Sequence, residues 1–377
     1  MSWFKPNSYL GIDIGAGGIK LVELRKEKGR PMLFTYAYTS ANLDVHELAK
    51  RSMIKDSAGY GRENSVFGDL SKDTEKISKY AALLQAVCKQ AKTVSKVAVV
   101  SVPVSSVFHT IVTMPVLDKK EFDEHLKSEI RKLLPYSLEE TSLDYEILPK
   151  PEGAKTERVL VNAVPLELVS FYTKVFKKAG LKLDSLEPES VALGRSLVGR
   201  DTALTMVVDM GAERTNFFII DETKTITHQS IEIGGIKINR LLQNMLGIQE
   251  DLVDQVKQDL FRKLLVSGED PLLTKKSFLD TFNAVLDPIV KEVAYGFEVY
   301  LRQGGQEQKQ PEKIILTGGS AFFPFLAQHL SEKFKVKCYI GDPWGRVVYQ
   351  ESLKPFLHNI GPRMAVAIGL SLRNILS

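Results

Sequence analysis

Apolar and polar residues alternate in short blocks toward both ends of the chain and fall into helical spacing between them. Tyr9–Ile14, Ile19–Leu24 and Met32–Ala37 read as three strands of a meander, with Gly29-Arg30-Pro31 supplying the second turn. From about 40 to 76 the pattern turns polar and irregular around Gly59, Gly61 and Gly68, which predicts an inserted loop or small helices. Ile77–Lys92 has a helical period and leads into strands at Val97–Val102 and Phe108–Thr113. Asp118 then caps a helix whose stripe is Phe122, Leu126, Ile130, Leu133 and Leu134, and Pro135 ends it. That stripe is either packed core or the wall of a groove for a peptide. Strands follow at Thr141–Leu148 and Arg158–Val164, then a helix Glu167–Ala179 closed by Gly180.

The second half begins after Asp184-Ser185-Leu186-Glu187-Pro188 and a short helix Ser190–Leu197. Leu204–Asp209 and Phe217–Ile220 form a hairpin, and strand Ser230–Ile233 turns at Gly234-Gly235 into helix Ile236–Leu246. Lys276–Arg302 reads as one long helix, with Phe278, Phe282, Val285, Leu286, Ile289, Val293, Phe297 and Leu301 on one face. Gly304-Gly305 and the Gln-rich run to Gln310 make a surface connection. Strand Lys313–Leu316, a helix from Pro324, strand Val336–Ile340 and helix Ala365–Asn374 complete the chain. Strand-then-helix alternation at both ends predicts α/β lobes.

At 377 residues the chain exceeds one ordinary core, so two lobes are expected. A hydrophobic fraction of 44% with 25% charged residues is that of a globular protein. The net charge of +4 comes from basic and acidic residues that interleave, so no nucleic-acid surface is expected. Cys88 and Cys338 lie far apart in no metal-binding spacing, which fits a reducing cytoplasm. No run is long and apolar enough to span a bilayer, and the first residues are not a secretion signal. Trp3 and Phe4 read as a frayed or locally packed tail, so membrane contact is expected only through partners.

The chemistry concentrates in two hairpins that share a plan. Gly11-Ile12-Asp13-Ile14-Gly15-Ala16-Gly17-Gly18-Ile19-Lys20 and Val207-Val208-Asp209-Met210-Gly211-Ala212-Glu213-Arg214-Thr215-Asn216 each run an apolar strand into Asp-x-Gly, a small-residue turn and a second strand. Glycine and alanine at such a tip let backbone N–H groups approach phosphate oxygens, and carboxylates beside them organise a magnesium ion through water. Asp13 and Asp209 are therefore candidate metal residues; Gly11, Gly15, Ala16, Gly17, Gly18, Lys20, Gly211, Ala212, Glu213, Arg214 and Thr215 are candidate phosphate contacts. Ile314–Leu316 ends in Thr317-Gly318-Gly319-Ser320, where a flat ring or ribose can lie on the backbone. Gly234, Gly235, Lys237, Asn239 and Lys257 are further nucleotide candidates. Hydrolysis needs a group to orient water, and Glu187, Glu189 or Asp209 are the candidates. The six histidines are scattered, so zinc chemistry and a Cys–His nucleophile are not expected.

With these residues assembled, the chain resembles the actin-like ATPase superfamily, a ribonuclease H-like α/β fold with two lobes and duplicated β-sheet subdomains. Gly11–Lys20 looks like the first phosphate motif, Glu187–Leu193 the first connecting helix, Asp209–Thr215 the second phosphate motif, Leu316–Ala321 the adenosine motif and Gly361–Leu370 the second connecting helix. Glu121–Leu148 is similar to the type IV pilus assembly proteins of the PilM family, which share an FtsA-type relocated subdomain 1C.

The resemblance implies subdomain 1A over 1–40 and 151–200, an inserted 1C over 41–150, subdomain 2A over 201–235 and 306–377, and subdomain 2B over 236–305. It further implies ATP and Mg2+ as ligands and a cytoplasmic protein at the inner face of the membrane. The implied partner is the N-terminal cytoplasmic segment of a PilN-like bitopic membrane protein; pilus motor ATPases and a homo-oligomer are further possibilities. Ala16-Gly17-Gly18 lacks the hydroxyl that most relatives carry there, so slow or absent turnover is expected. A filament-forming protein of the FtsA kind and a small-molecule kinase are the alternatives.

Overall fold

The meander of the first strands comes from tight turns between alternating segments. β1 (Ser8–Gly15), β2 (Gly18–Glu27) and β3 (Arg30–Tyr38) pair antiparallel, and the Gly15↔Gly18 register closes the first hairpin on Ala16-Gly17. The computed structural model describes residues 8–48, 70–150, 152–267, 274–303 and 310–376. Trp3, Phe4, most of the polar stretch with Gly59, Gly61 and Gly68, and the connection from Gly304 lie outside the described residues.

α1 (Thr74–Ala91), capped by the Asp73 carboxylate on the Lys76 N–H, leads into β4 (Val97–Val102), which runs parallel to β1. β5 (Phe108–Pro115), α2 (Lys119–Leu133), β6 (Thr141–Ile147) and β7 (Thr156–Pro165) follow, and the three strands form a separate sheet in the order β5-β7-β6. α3 (Leu166–Ala179) then returns the chain to β8 (Lys182–Pro188), which pairs parallel with β4. The first large sheet is thus β3-β2-β1-β4-β8. This redraws the insert expected over 41–150. β4 is buried along nearly its whole length because it is central in the large sheet, whereas β7 belongs to the small one.

The Phe122 stripe is core: Phe122, Leu126, Ile130 and Leu134 pack on Val112, Met114, Val159 and Val161, while Leu133 turns outward. β8 falls where the sequence pattern indicates a link. An edge strand of Lys-Leu-Asp-Ser-Leu-Glu-Pro has too few apolar positions to register as one.

α4 (Glu189–Leu193) continues as a π-helical turn, Gly194–Val198. β9 (Thr205–Met210), β10 (Thr215–Asp221) and β11 (Lys224–Ile231) repeat the meander. β11 starts earlier than expected because its hairpin turns on Glu222-Thr223, both at positive φ, without the glycine that signals such a turn.

Four helices follow: α5 (Gly235–Leu246), α6 (Glu250–Ser267), α7 (Lys275–Thr281) and α8 (Asn283–Gln303). The single helix expected over Lys276–Arg302 is therefore broken at Phe282. Its ring packs on Phe278 at 4.6 Å and Phe323 at 5.3 Å, and that aromatic cluster overrides helix continuity.

β12 (Lys313–Thr317), α9 (Leu326–Phe334), β13 (Lys337–Ile340) and α10 (Lys354–Leu376) close the chain. α10 starts well before Ala365 and carries Pro362 inside it. The second large sheet, β11-β10-β9-β12-β13, has the topology of the first. The first sheet buries one face under α1 and α3 (Tyr80, Leu84, Phe171, Phe176) and the other under α10 (Met364, Ile368, Leu372). α4 and α10 also cover Val207, Phe218 and Ile315 of the second sheet, so they lie between the lobes. They cross closely: a Cβ at Gly369 would sit 1.9 Å from the Ala192 carbonyl.

Candidate functional site

Both hairpin tips open at the carboxyl ends of the parallel strands, where an α/β sheet of this kind binds ligands. They meet: a Cβ at Gly17 would lie 3.0 Å from the Ala212 methyl. Small residues at both positions are what allow the lobes to come together there.

In the first hairpin, Asp13 at the end of β1 is buried and held from two sides. The Ser101 hydroxyl donates to its Oδ1 at 2.8 Å, and Lys20 Nζ lies 3.1 Å from Oδ2. Ser101 reaches Asp13 because β4 is its parallel neighbour, an adjacency that carries no local signal in the sequence. Gly15 leaves room for the ammonium group, since a Cβ there would sit 2.9 Å from Lys20 Nζ. Gly18 takes φ +117, and its missing side chain admits the Thr39 carbonyl. The Ala16 carbonyl accepts from the Leu43 N–H. Gly11 lies away from the tip: its missing side chain admits the backbone of α10 at Ala367 and Ser371, a packing role in place of the phosphate contact expected.

In the second hairpin, burial and the charge of Asp13 push the Asp209 carboxyl up to about 6, while Lys20 and Asn216 pull it the other way. Gly318, at φ +90, packs against it so tightly that a Cβ would fall 2.4 Å from Asp209 Oδ1. Several expected phosphate contacts are instead spent on the turn. The Gly211 N–H donates to the Arg214 carbonyl at 2.9 Å, and the buried Thr215 hydroxyl donates to the Ile233 carbonyl at 2.6 Å. Arg214 points along the sheet, to Ser230 and Glu232 at 2.9 Å each. Glu213 is exposed at the tip and Lys237 is exposed on α5.

α5 is fastened onto this hairpin: the Gly235 and Ile236 N–H groups donate to the Gly211 and Ala212 carbonyls, and Gly234 leaves the space for it. A Cβ at Gly235 would lie 2.7 Å from Ser320 Oγ and 3.8 Å from Lys257 Nζ. Lys257 in turn donates to Asn239 at 2.7 Å and pairs with Asp254 at 2.8 Å. Residues expected from three distant stretches thus line one wall, with Gly319 beside Arg363, whose guanidinium lies 5.2 Å over the Tyr38 ring. Arg363 lies within the expected second connecting helix without being marked out there, and Tyr38 belongs to no local motif, so the sequence pattern does not reveal their meeting.

Glu187 and Glu189 separate into different environments. Arg195 grips the Glu187 carboxylate through two N–H groups, at 2.9 and 3.2 Å, and Arg373 Nε lies 2.8 Å away. Two guanidinium groups occupy both of its oxygens, so it ties β8 to α10 in place of the catalytic role expected for it. Glu189, two residues further at the start of α4, is buried and accepts from the Val104 N–H at 3.2 Å. Burial first, then the charges of Asp13 and Asp209, raise it well above the usual carboxylate range. Three acids therefore sense one another around Lys20, although among the described residues no three metal-binding side chains converge on one point. Two carboxylates beside a glycine cradle, acting through water, fit a magnesium ion held together with a phosphate chain.

Duplicated sheets, crossing helices between them and facing acid-tipped hairpins define the actin-like two-lobed fold. The chain is similar to a solved chain described as "PilM-PilN type IV pilus biogenesis complex", at 21% identity over 97% of this chain and 98% of that one, with a TM-score of 0.74. It is more distantly similar to the ethanolamine utilization protein EutJ from Carboxydothermus hydrogenoformans, at 15% identity over 98% and 91% of the two chains, with a TM-score of 0.52. The family model described as "Type IV pilus assembly protein PilM" matches residues 62–375, and the chain belongs to that family. Among the described residues no helix is long and apolar enough to cross a membrane.

Proposed function

We infer that the protein is a nucleotide-gated adaptor of type IV pilus assembly. It holds Mg-ATP between its hairpins and docks the N-terminal cytoplasmic segment of a PilN-like membrane protein at the inner face of the membrane. The observation that carries the nucleotide half is the meeting of Gly17 and Ala212 with Asp13, Lys20 and Asp209 at the mouth. Asp13 and Asp209 would hold the magnesium mostly through water, and the ion would screen their mutual repulsion. The Gly235–Ser320–Lys257 wall and Gly318-Gly319 would take the nucleoside. Because the α4–α10 crossing lies between the lobes, filling the cleft changes their angle, and a hinge of this kind transmits a state. Glu189, beside Asp13 and Asp209, would be the group to orient water, and the missing hydroxyl at Ala16-Gly17-Gly18 would keep turnover slow. The partner half rests on family membership and on the similar chain described with PilN.

The test is calorimetric titration of the purified protein with the cytoplasmic peptide of the neighbouring single-span membrane protein, with and without Mg-ATP. Binding that shifts with nucleotide supports the adaptor, and no binding in either state removes it. Asp13→Ala should weaken Mg-ATP binding at least tenfold with the fold intact. Charged substitutions that abolish peptide binding should fall within 1–200; a cluster in 240–305 would move the docking site to the other lobe.

A further inference from the structure

Opposite the cleft, the first large sheet ends in a basic face. The strand registers bring it together: Arg30 pairs with Glu27 at the β2–β3 turn, Ser8 pairs with Arg25, and Val97 pairs with Lys182. α1 ends at the same level, because the Val94 and Ser95 N–H groups after it bond the buried Glu23 carboxylate at 2.9 and 2.8 Å. α10 ends there too, its Ile375 carbonyl accepting from Lys26 Nζ at 3.0 Å. The exposed cations on this face are Lys26, Lys28, Arg30, Lys92, Lys96 and Lys182, and the exposed acids among them are Glu27 and Asp184. Among the described residues none of the six forms an ion pair. Between them lies a recess of about 510 Å³ lined by Ser8, Arg25, Lys26, Ser95, Lys96 and one acid, Glu27, so cations outnumber acids three to one in its wall. Val94, 57% exposed, also lines it, and Leu376, 44% exposed, follows the Ile375 carbonyl that Lys26 reaches.

We propose that this face binds an anionic membrane surface directly, with the recess receiving a phospholipid headgroup phosphate and Val94 and Leu376 entering the interfacial layer. Three features favour a bilayer over a nucleic acid or an acidic protein. The cations are spread across the ends of several elements and follow no groove. Five of the six are lysines, which act as point charges and do not make the bidentate contacts of arginine that read bases or carboxylates. Exposed aliphatic residues, Val94 and Leu376, stand among them, as at a surface that meets a membrane interface. A cluster of this size near a cytoplasmic leaflet gains about fivefold in partitioning per cation, and salt screens the gain. Such contact adds to attachment through a membrane partner and stands independently of the nucleotide reading.

The test is flotation of the full chain with vesicles of phosphatidylcholine alone or mixed with phosphatidylglycerol, at low and high salt. Binding to the anionic vesicles only, released by salt, is expected. The triple variant Lys28→Gln, Arg30→Gln, Lys96→Gln should lower partitioning about 100-fold at an unchanged melting temperature. The double variant Lys92→Gln, Lys182→Gln should lower it about 25-fold, and it carries the test if the triple variant does not fold. A control on the other lobe, Lys276→Gln, Lys291→Gln, Lys333→Gln, should bind as wild type. Wild-type protein that ignores anionic vesicles, variants that bind as wild type, or tighter binding to duplex DNA or polyglutamate would each overturn the proposal.

Discussion

Asp209 pays for its place at the cleft in stability. Burial and the Asp13 charge hold it near 6, above the value of an unfolded aspartate. The folded state therefore keeps the proton more tightly than the unfolded chain, and this contribution to stability, full at acid pH, is lost as pH rises through about 6. Asp209→Asn should stabilise the ligand-free protein by about 1–2 kcal/mol at pH 7.5 after allowance for solvent screening, while Mg-ATP affinity falls. The melting-temperature gap between variant and wild type should narrow as pH falls below about 6 and close only near about 4, the value of an unfolded aspartate. A gap that does not vary with pH would mean that the Asp209 charge is not its source.

Among the elements, the α4–α10 crossing and the hairpin contact depend on missing side chains, and these make sharp predictions. Gly369→Ala drives a methyl into the Ala192 backbone and should cost about 3 kcal/mol or more. Gly29→Ala, at φ +79 in open space, should cost only about 1 kcal/mol from its backbone conformation. Comparable losses for the two in urea titrations would refute the close crossing. Gly17→Val should press on Ala212 and weaken nucleotide binding without unfolding either lobe. The apolar strands β1, β4, β9 and β12 and the capped helices α2 and α3 are plain in the pattern, because burial on a fixed period leaves a local mark. β8, the Glu222-Thr223 turn and the break at Phe282 are not, because partner strands and an aromatic cluster decide them from outside.

At the scale of the molecule, the small sheet is joined to the second lobe by two stacked histidines. His109 on β5 and His228 on β11 lie 4.7 Å apart between ring centres, with His109 Nε2 3.2 Å from the Ile226 carbonyl and Nδ1 2.8 Å from the Asn162 side chain. Lys224 and Glu146 form an ion pair across the same junction. Burial lowers both imidazoles, His228 to about 3 with help from His109. Unfolded histidine takes up protons near 6.5 while these do not, so stability is full above that pH and declines as pH falls below it. This sign is opposite to that of Asp209. His228→Gln should remove about 1–2 kcal/mol of acid sensitivity between pH 7 and 5, read as the change in urea midpoint. An unaltered pH profile would place the sensitivity elsewhere.

By itself the sequence determined the two acid-tipped hairpins, their strands and the glycines that shape them, since turn chemistry and alternating burial are written over a few adjacent residues. The family resemblance was legible for the same reason, from motifs in a set order. It took packing across the sheets to bring Ser101 onto Asp13, to set two arginines against Glu187 while Glu189 faces the acids, and to occupy Thr215 and Gly211 within their own hairpin. Likewise, lysines that interleave with acids along the chain gather on one face only once parallel strands and helix ends are brought into register. A hydrogen bond or a charge acts across a few ångströms of space, and the chain sets that distance by folding.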